Sequence, residues 1–188
     1  MGIVVGNGIQ ANLGIIQWVD ILTGRVHLHD RCQCHANGCD PGHVLVCSTG
    51  LIGIPMPIDP FTTGVPAAAA ALAATPEAGL SPARAIMTTH TVAQEAVTTL
   101  HLEGVTVTVG GMAKGAAMLS PAMATMLAVI TTDAVVEAQA LQRALQTAAD
   151  RSFNLMTTDG SRSTNDTVLV LAGGAGRDAA ISPGTPPP

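Results

Sequence analysis

Residues 97–132 read VTTLHLEGVTVTVGGMAKGAAMLSPAMATMLAVITT, and the order of residue types in this stretch decides the fold class. β-Branched residues alternate with others over 98–102 and again over 105–109, on either side of Glu103-Gly104. Two alternating runs about such a pair predict a β-hairpin. Gly110-Gly111 reads as its end. The apolar run 126–131 predicts a further strand. Over 135–149, Val136, Leu141, Leu145 and Ala148 recur at spacings that bring them near one face of a helix, with Thr132 or Asp133 as candidate cap. Short strands interleaved with an amphipathic helix indicate mixed α and β structure.

Working outward, residues 153–157, Asp159-Gly160 and 167–171 read as strand, turn and strand, followed by a loose Gly/Ala/Pro-rich tail over 173–188. Upstream, 3–5 is a short β-branched run ending at Gly6, Asn7 and Gly8. The run 44–47 predicts a buried strand that opens into Ser48-Thr49-Gly50. Pro55, Pro57 and Pro60 predict a non-helical connector, because each lacks an amide donor and restricts the residue before it. The alanine-rich 67–74 predicts a helix that stops at Thr75-Pro76. No internal repeat is visible, and 188 residues amount to one domain or part of one.

Composition narrows the partners. Charged residues are 11% of the chain, less than half the roughly 25% usual for soluble domains. Aromatics are 2%, namely Trp18, Phe61 and Phe153. With so few rings, and a net charge of -5 carried with only eight Lys and Arg, neither base stacking nor a phosphate-binding stripe can be built. No apolar run approaches the ~20 residues of a spanning helix, and the N-terminus lacks the basic stretch of a secretion signal. The expectation is a cytoplasmic protein that binds neither nucleic acid nor membrane. So little charge also implies that a partner or further chain covers part of the surface.

Three groups of residues carry candidate chemistry. His27, His29, Cys32, Cys34, His35, Cys39, His43 and Cys47 are ligand types that tetrahedral zinc prefers. Their spacing departs from the common templates, since one residue separates Cys32 from Cys34. Free thiols in a loop are the ordinary alternative, and no metal is assigned. The second group is Lys114, the single lysine of the chain, set near glycines in an apolar stretch, with Thr125 eleven residues later. A turn lysine and a strand threonine would look the same, because a threonine hydroxyl becomes a nucleophile only beside a base. The third is a pair of turns, Ser48-Thr49-Gly50 and Thr88-Thr89-His90. Such turns can polarise a carbonyl or can simply satisfy local backbone groups.

Four blocks lift this ambiguity: VLVCSTGLIGIPMPID (44–59), ARAIMTTHT (83–91), VTVGGMAKGAAMLSPAMATMLAVITTDA (107–134), and DRSFN (150–154) with DGSRSTNDTVLVLAGG (159–174). In this order and at about this spacing, the chain resembles the ornithine acetyltransferase family. The block from Lys114-Gly115 through MATML is the most specific, and the opening IVVGNG is a weaker echo.

The resemblance implies an α/β fold of layered sheets flanked by helices and an enzyme that cleaves itself before moving acetyl groups. The implied scissile bond is Ala124-Thr125, which divides the chain into 1–124, part of an α subunit, and 125–188, the start of a β subunit. Thr125 would be both nucleophile and new N-terminus. A free α-amine has a pKa of about 7.7 to 8, so a fraction is neutral and can take the hydroxyl proton. Thr49 and Gly50 match the family's oxyanion-hole pair, and Thr88 and Lys114 match substrate-binding positions. The implied cycle transfers acetyl from N-acetylornithine to glutamate through acetyl-threonine, in arginine biosynthesis. No bound cofactor is implied, although some members use acetyl-CoA as a co-substrate. The partners implied are the small-molecule substrates and further copies, as a homo-oligomer of cleaved α and β chains.

The chain departs from the family at several places. His90 stands where the family usually has Asp, and Ala93-Gln94 replaces its Pro-Lys. Residues 14–43, which include most of the His/Cys segment, do not match. The matched blocks correspond to the middle of a family chain, and the family's acidic substrate-binding residue lies beyond them. Two further readings therefore stand beside the enzyme: an inactive piece of the same fold that serves assembly or binding, and a small zinc module on 27–47.

Overall fold

The structure, a computed structural model, describes residues 2–7, 45, 59–87, 90–102, 104–115, 126–157, 159–160 and 166–173. Contacts divide the chain into a unit of Met1–Ala11 with Met87–Pro188 and a unit of Asn12–Ile86.

The first unit is a five-stranded mixed sheet. β1 (Gly2–Asn7), β2 (Gln94–Leu102), β3 (Val105–Lys114), β4 (Leu127–Thr132) and β5 (Thr167–Ala172) lie in the order β1-β5-β4-β3-β2. The predicted hairpin is β2–β3, antiparallel, with Leu102 opposite Val105. Gly104 has φ +84°, the left-handed region that glycine enters without a Cβ clash. β3 pairs antiparallel with β4, and β5 pairs parallel with both β4 and β1. Adjacent parallel strands cannot be joined by a tight turn. Here the connection from β4 to β5 runs through Ala138–Asp150, a 13-residue helix that is α3 in chain order.

That helix buries Leu141, Leu145 and Ala149, one residue per turn along a single stripe. Leu141 and Leu145 join Met126, Ala128, Val168, Val170 and Ala172 in the core, with Ala113, Ile130, Val136 and Phe153 packed against them. Alternating residues of β4 and β5 therefore face the helix, and Leu127, Val129 and Leu169, also buried, belong to the opposite face.

Several expectations are corrected. Gly110-Gly111 does not end the hairpin: β3 continues to Lys114, and both glycines lie within its ladders. Gly111 is needed for close approach, since a Cβ there would stand 3.0 Å from the Val129 carbonyl oxygen. Ala148 is exposed and Ala149 buried, since the buried stripe steps by four from Leu141 through Leu145, and the helix begins at Ala138 rather than Val135. Neither Thr132 nor Asp133 caps it; the N-cap is Glu137, with no side-chain cap bond. Asp133 instead accepts from the Thr108 amide at 2.7 Å, and the Thr132 hydroxyl donates to the Thr108 carbonyl at 2.9 Å. Residues Phe153–Leu155 form a 3-10 turn, not a strand.

In the second unit, α1 (Asp59–Ala70) and α2 (Pro76–Ala85) are helices. Pro60 belongs to the first turn of α1, where the missing amide would have had no helical partner. This reverses the expectation of a connector at Pro60, and the expected helix over 67–74 ends at Ala70. Thr75 caps α2, its Oγ1 accepting from the Ala78 amide at 3.2 Å with Pro76 at the helix start. The expected strand at 44–47 and the tail beyond 173 lie outside the described residues, apart from Leu45. Among the described residues, no helix is long and apolar enough to cross a membrane.

Candidate functional site

The pleat of β3 places the site. Lys114, its last residue, is paired with Leu127, the first residue of β4, and Leu127 is paired in turn with Thr167, the first residue of β5. Directly paired residues share a face of the sheet. Lys114 therefore lies on the face of Leu127, Val129 and Leu169, away from α3. It is 5% exposed, and among the described residues it is the buried charged side chain. Burial removes water from the ammonium and holds its pKa below the ordinary lysine value. Low-dielectric surroundings also strengthen the attraction of such a cation for a carboxylate.

The chain on either side of this row is held by two side chains far away in sequence. Asp166 Oδ1 accepts from the Met126 amide at 3.1 Å, and the Thr167 amide donates to the Met126 carbonyl at 2.9 Å. Both backbone groups of Met126 are thus held by consecutive residues at the start of β5. On the other side, the Gly115 amide, next after Lys114, donates to His90 Nε2 at 3.0 Å. The other ring nitrogen, Nδ1, is buried and has no hydrogen-bond partner among the described residues.

Of the residues singled out from sequence, Lys114 and His90 are described, Lys114 as the buried last residue of β3. Thr49, Gly50, Thr88, Ala124 and Thr125 lie outside the described residues, as do the histidines and cysteines of 27–47. Thr125 is peptide-bonded to Met126, the residue that Asp166 and Thr167 hold. Sequence assigned Asp166 no role and marked His90 only as the end of a candidate turn, not for its contact with Gly115. Their contacts join positions 40 and 25 residues apart, which no local pattern reveals.

Comparison with known proteins gives a consistent result. The model of the ArgJ family matches residues 22–184. The arginine biosynthesis bifunctional protein ArgJ of Symbiobacterium thermophilum is 52% identical over 155 residues, 82% of this chain and 38% of that protein. The protein of the same name from Bifidobacterium longum is 52% identical over 139 residues, 73% of this chain and 34% of that one. That of Thermosynechococcus vestitus is 48% identical over 147 residues, 78% and 35% respectively. The chain thus spans between 34% and 38% of the length of these three curated relatives.

Proposed function

The chain belongs to the ArgJ family, and from that premise we propose that it is an acyltransferase that moves acetyl from N-acetylornithine to glutamate after cleaving itself at Ala124-Thr125. The observation that supports this reading most is the buried Lys114 at the end of β3, in register with Leu127, two residues beyond Thr125. A cation kept dry at that position can bind a substrate carboxylate and present the acyl group to a neighbouring nucleophile.

In the proposed self-cleavage, Thr125 Oγ attacks the Ala124 carbonyl carbon, the peptide C–N bond breaks, and the resulting ester is hydrolysed by water. Ala124 is left with a carboxylate and Thr125 with a free amine. In the first half of transfer, Thr125 Oγ attacks the acetyl carbonyl of N-acetylornithine while the Thr125 amine takes the hydroxyl proton. Thr49 and Gly50 stabilise the oxyanion. The amide C–N bond breaks, the proton passes to the departing ornithine nitrogen, and acetyl remains as an ester on Thr125. In the second half the glutamate amine attacks that ester, N-acetylglutamate leaves, and Oγ regains its proton. Thr88 and Lys114 hold the amino-acid portion in both halves. The proposal extends to acetyl-CoA as an alternative acetyl donor, to a cytoplasmic location, and to assembly as a homo-oligomer of cleaved α and β chains, of which 1–124 and 125–188 are parts.

The test is isotope exchange: purified protein with N-acetylornithine and labelled glutamate should yield labelled N-acetylglutamate, with Thr125→Ala inactive. Cleavage without exchange would support the other reading, an inactive piece of the fold that serves assembly or binding.

A further inference from the structure

The Gly115 amide donates to His90 Nε2 at 3.0 Å, and a ring nitrogen that accepts a hydrogen bond carries no proton. The ring in this geometry is therefore neutral, with its hydrogen on Nδ1. An imidazolium would turn N–H toward N–H at Gly115. The contact therefore selects one protonation state and one tautomer.

Position explains what that contact holds. Gln94 opens β2 opposite Ala113, so the chain preceding β2 approaches the sheet where β3 ends. His90 spans the remaining gap and takes the first amide after Lys114. Strand ends are where ladders fray, and Lys114 is the last ladder residue of β3, paired with Leu127. Keeping an ammonium buried there requires the backbone beside it to stay in one place, since a small change of direction would let the long side chain reach water.

We propose that His90 is a positioning residue for Lys114: as a neutral ring protonated on Nδ1, it holds the Gly115 amide through Nε2 and so fixes the direction in which β3 ends and the burial of the lysine one residue earlier. What Lys114 binds rests on the function proposed above; the contact that positions it does not.

Because Lys114 is the only lysine of the chain, ¹³C-lysine labelling gives one side-chain titration without assignment. Wild type should titrate below the ordinary lysine value. His90→Ala should raise that titration toward the ordinary value, and His90→Gln, whose amide oxygen can take the place of Nε2, should keep it low. Circular dichroism confirms that each variant is folded, and ¹⁵N spectra of the wild-type ring should show Nδ1 protonated and Nε2 bare. In the exchange assay, His90→Ala should raise KM for the amino-acid substrates roughly tenfold with a smaller change in kcat, and Gln should restore it. A ring protonated on Nε2, or a folded His90→Ala whose lysine titrates as in wild type, overturns the proposal. If the lysine responds as described but wild type transfers no acetyl, the positioning role stands and the functional reading fails.

Discussion

Asp166 Oδ1 receives the amide of Met126 at 3.1 Å, and through this bond a side chain 40 residues downstream fixes the point at which β4 begins. Thr167 completes the hold by donating to the Met126 carbonyl. The strand entrance is thereby tied to β5 one residue after the proposed nucleophile, so stability and self-processing should respond together to a change at Asp166.

Asp166→Ala removes the acceptor and leaves a part-buried amide unsatisfied, which should cost about 1–3 kcal/mol. Asp166→Asn keeps an oxygen acceptor and should cost less. Urea unfolding of the two variants measures the difference. Equal losses would show that the hydrogen bond to Met126 is not what Asp166 contributes.

Lys114 makes stability depend on pH in a definite direction. Its pKa is lower in the folded chain than the ordinary value of 10.5, because burial penalises the ammonium. Between the lowered value and 10.5, the unfolded chain binds more protons than the folded one, so stability should rise with pH across that window. Unfolding midpoints from about pH 7 to pH 10 should show this rise in wild type, and Lys114→Met should flatten it. A wild-type slope that falls over the same range would contradict the burial of the lysine.

Gly111 tests the closeness of β3 to β4. A Cβ there meets the Val129 carbonyl oxygen at 3.0 Å, and Ile130 Cα and Cγ1 at 3.4 Å. Backbone cannot move aside as a flexible side chain can, so Gly111→Ala should destabilise by about 1–3 kcal/mol. Gly110→Ala, whose nearest atoms stand at 3.9 Å, should be nearly neutral. Thermal unfolding of the pair separates steric crowding from any general intolerance of this strand to side chains.

The strands were legible in the sequence where alternation and burial coincide. The hairpin about Gly104 and the apolar runs that became β4 and β5 were read within about a residue at most ends. The misread features share a cause, which is that contacts outside the local pattern decide them. Gly110-Gly111 looks like a stop until a neighbouring strand requires the missing Cβ. Pro60 looks like a breaker until it falls in a first helical turn. Asp133 looks like a cap until it meets the Thr108 amide. At the site, Lys114 was visible as a lone cation in apolar sequence, whereas His90 and Asp166 act on residues that only the fold brings beside them.

Whether Thr125 is released as a new N-terminus, as its proposed role as nucleophile requires, is decided by intact-mass spectrometry of purified protein. Wild type should give two fragments that meet between Ala124 and Thr125, and Thr125→Ala a single full-length mass. A wild-type chain that remains full length, indistinguishable from the alanine variant, would contradict that role.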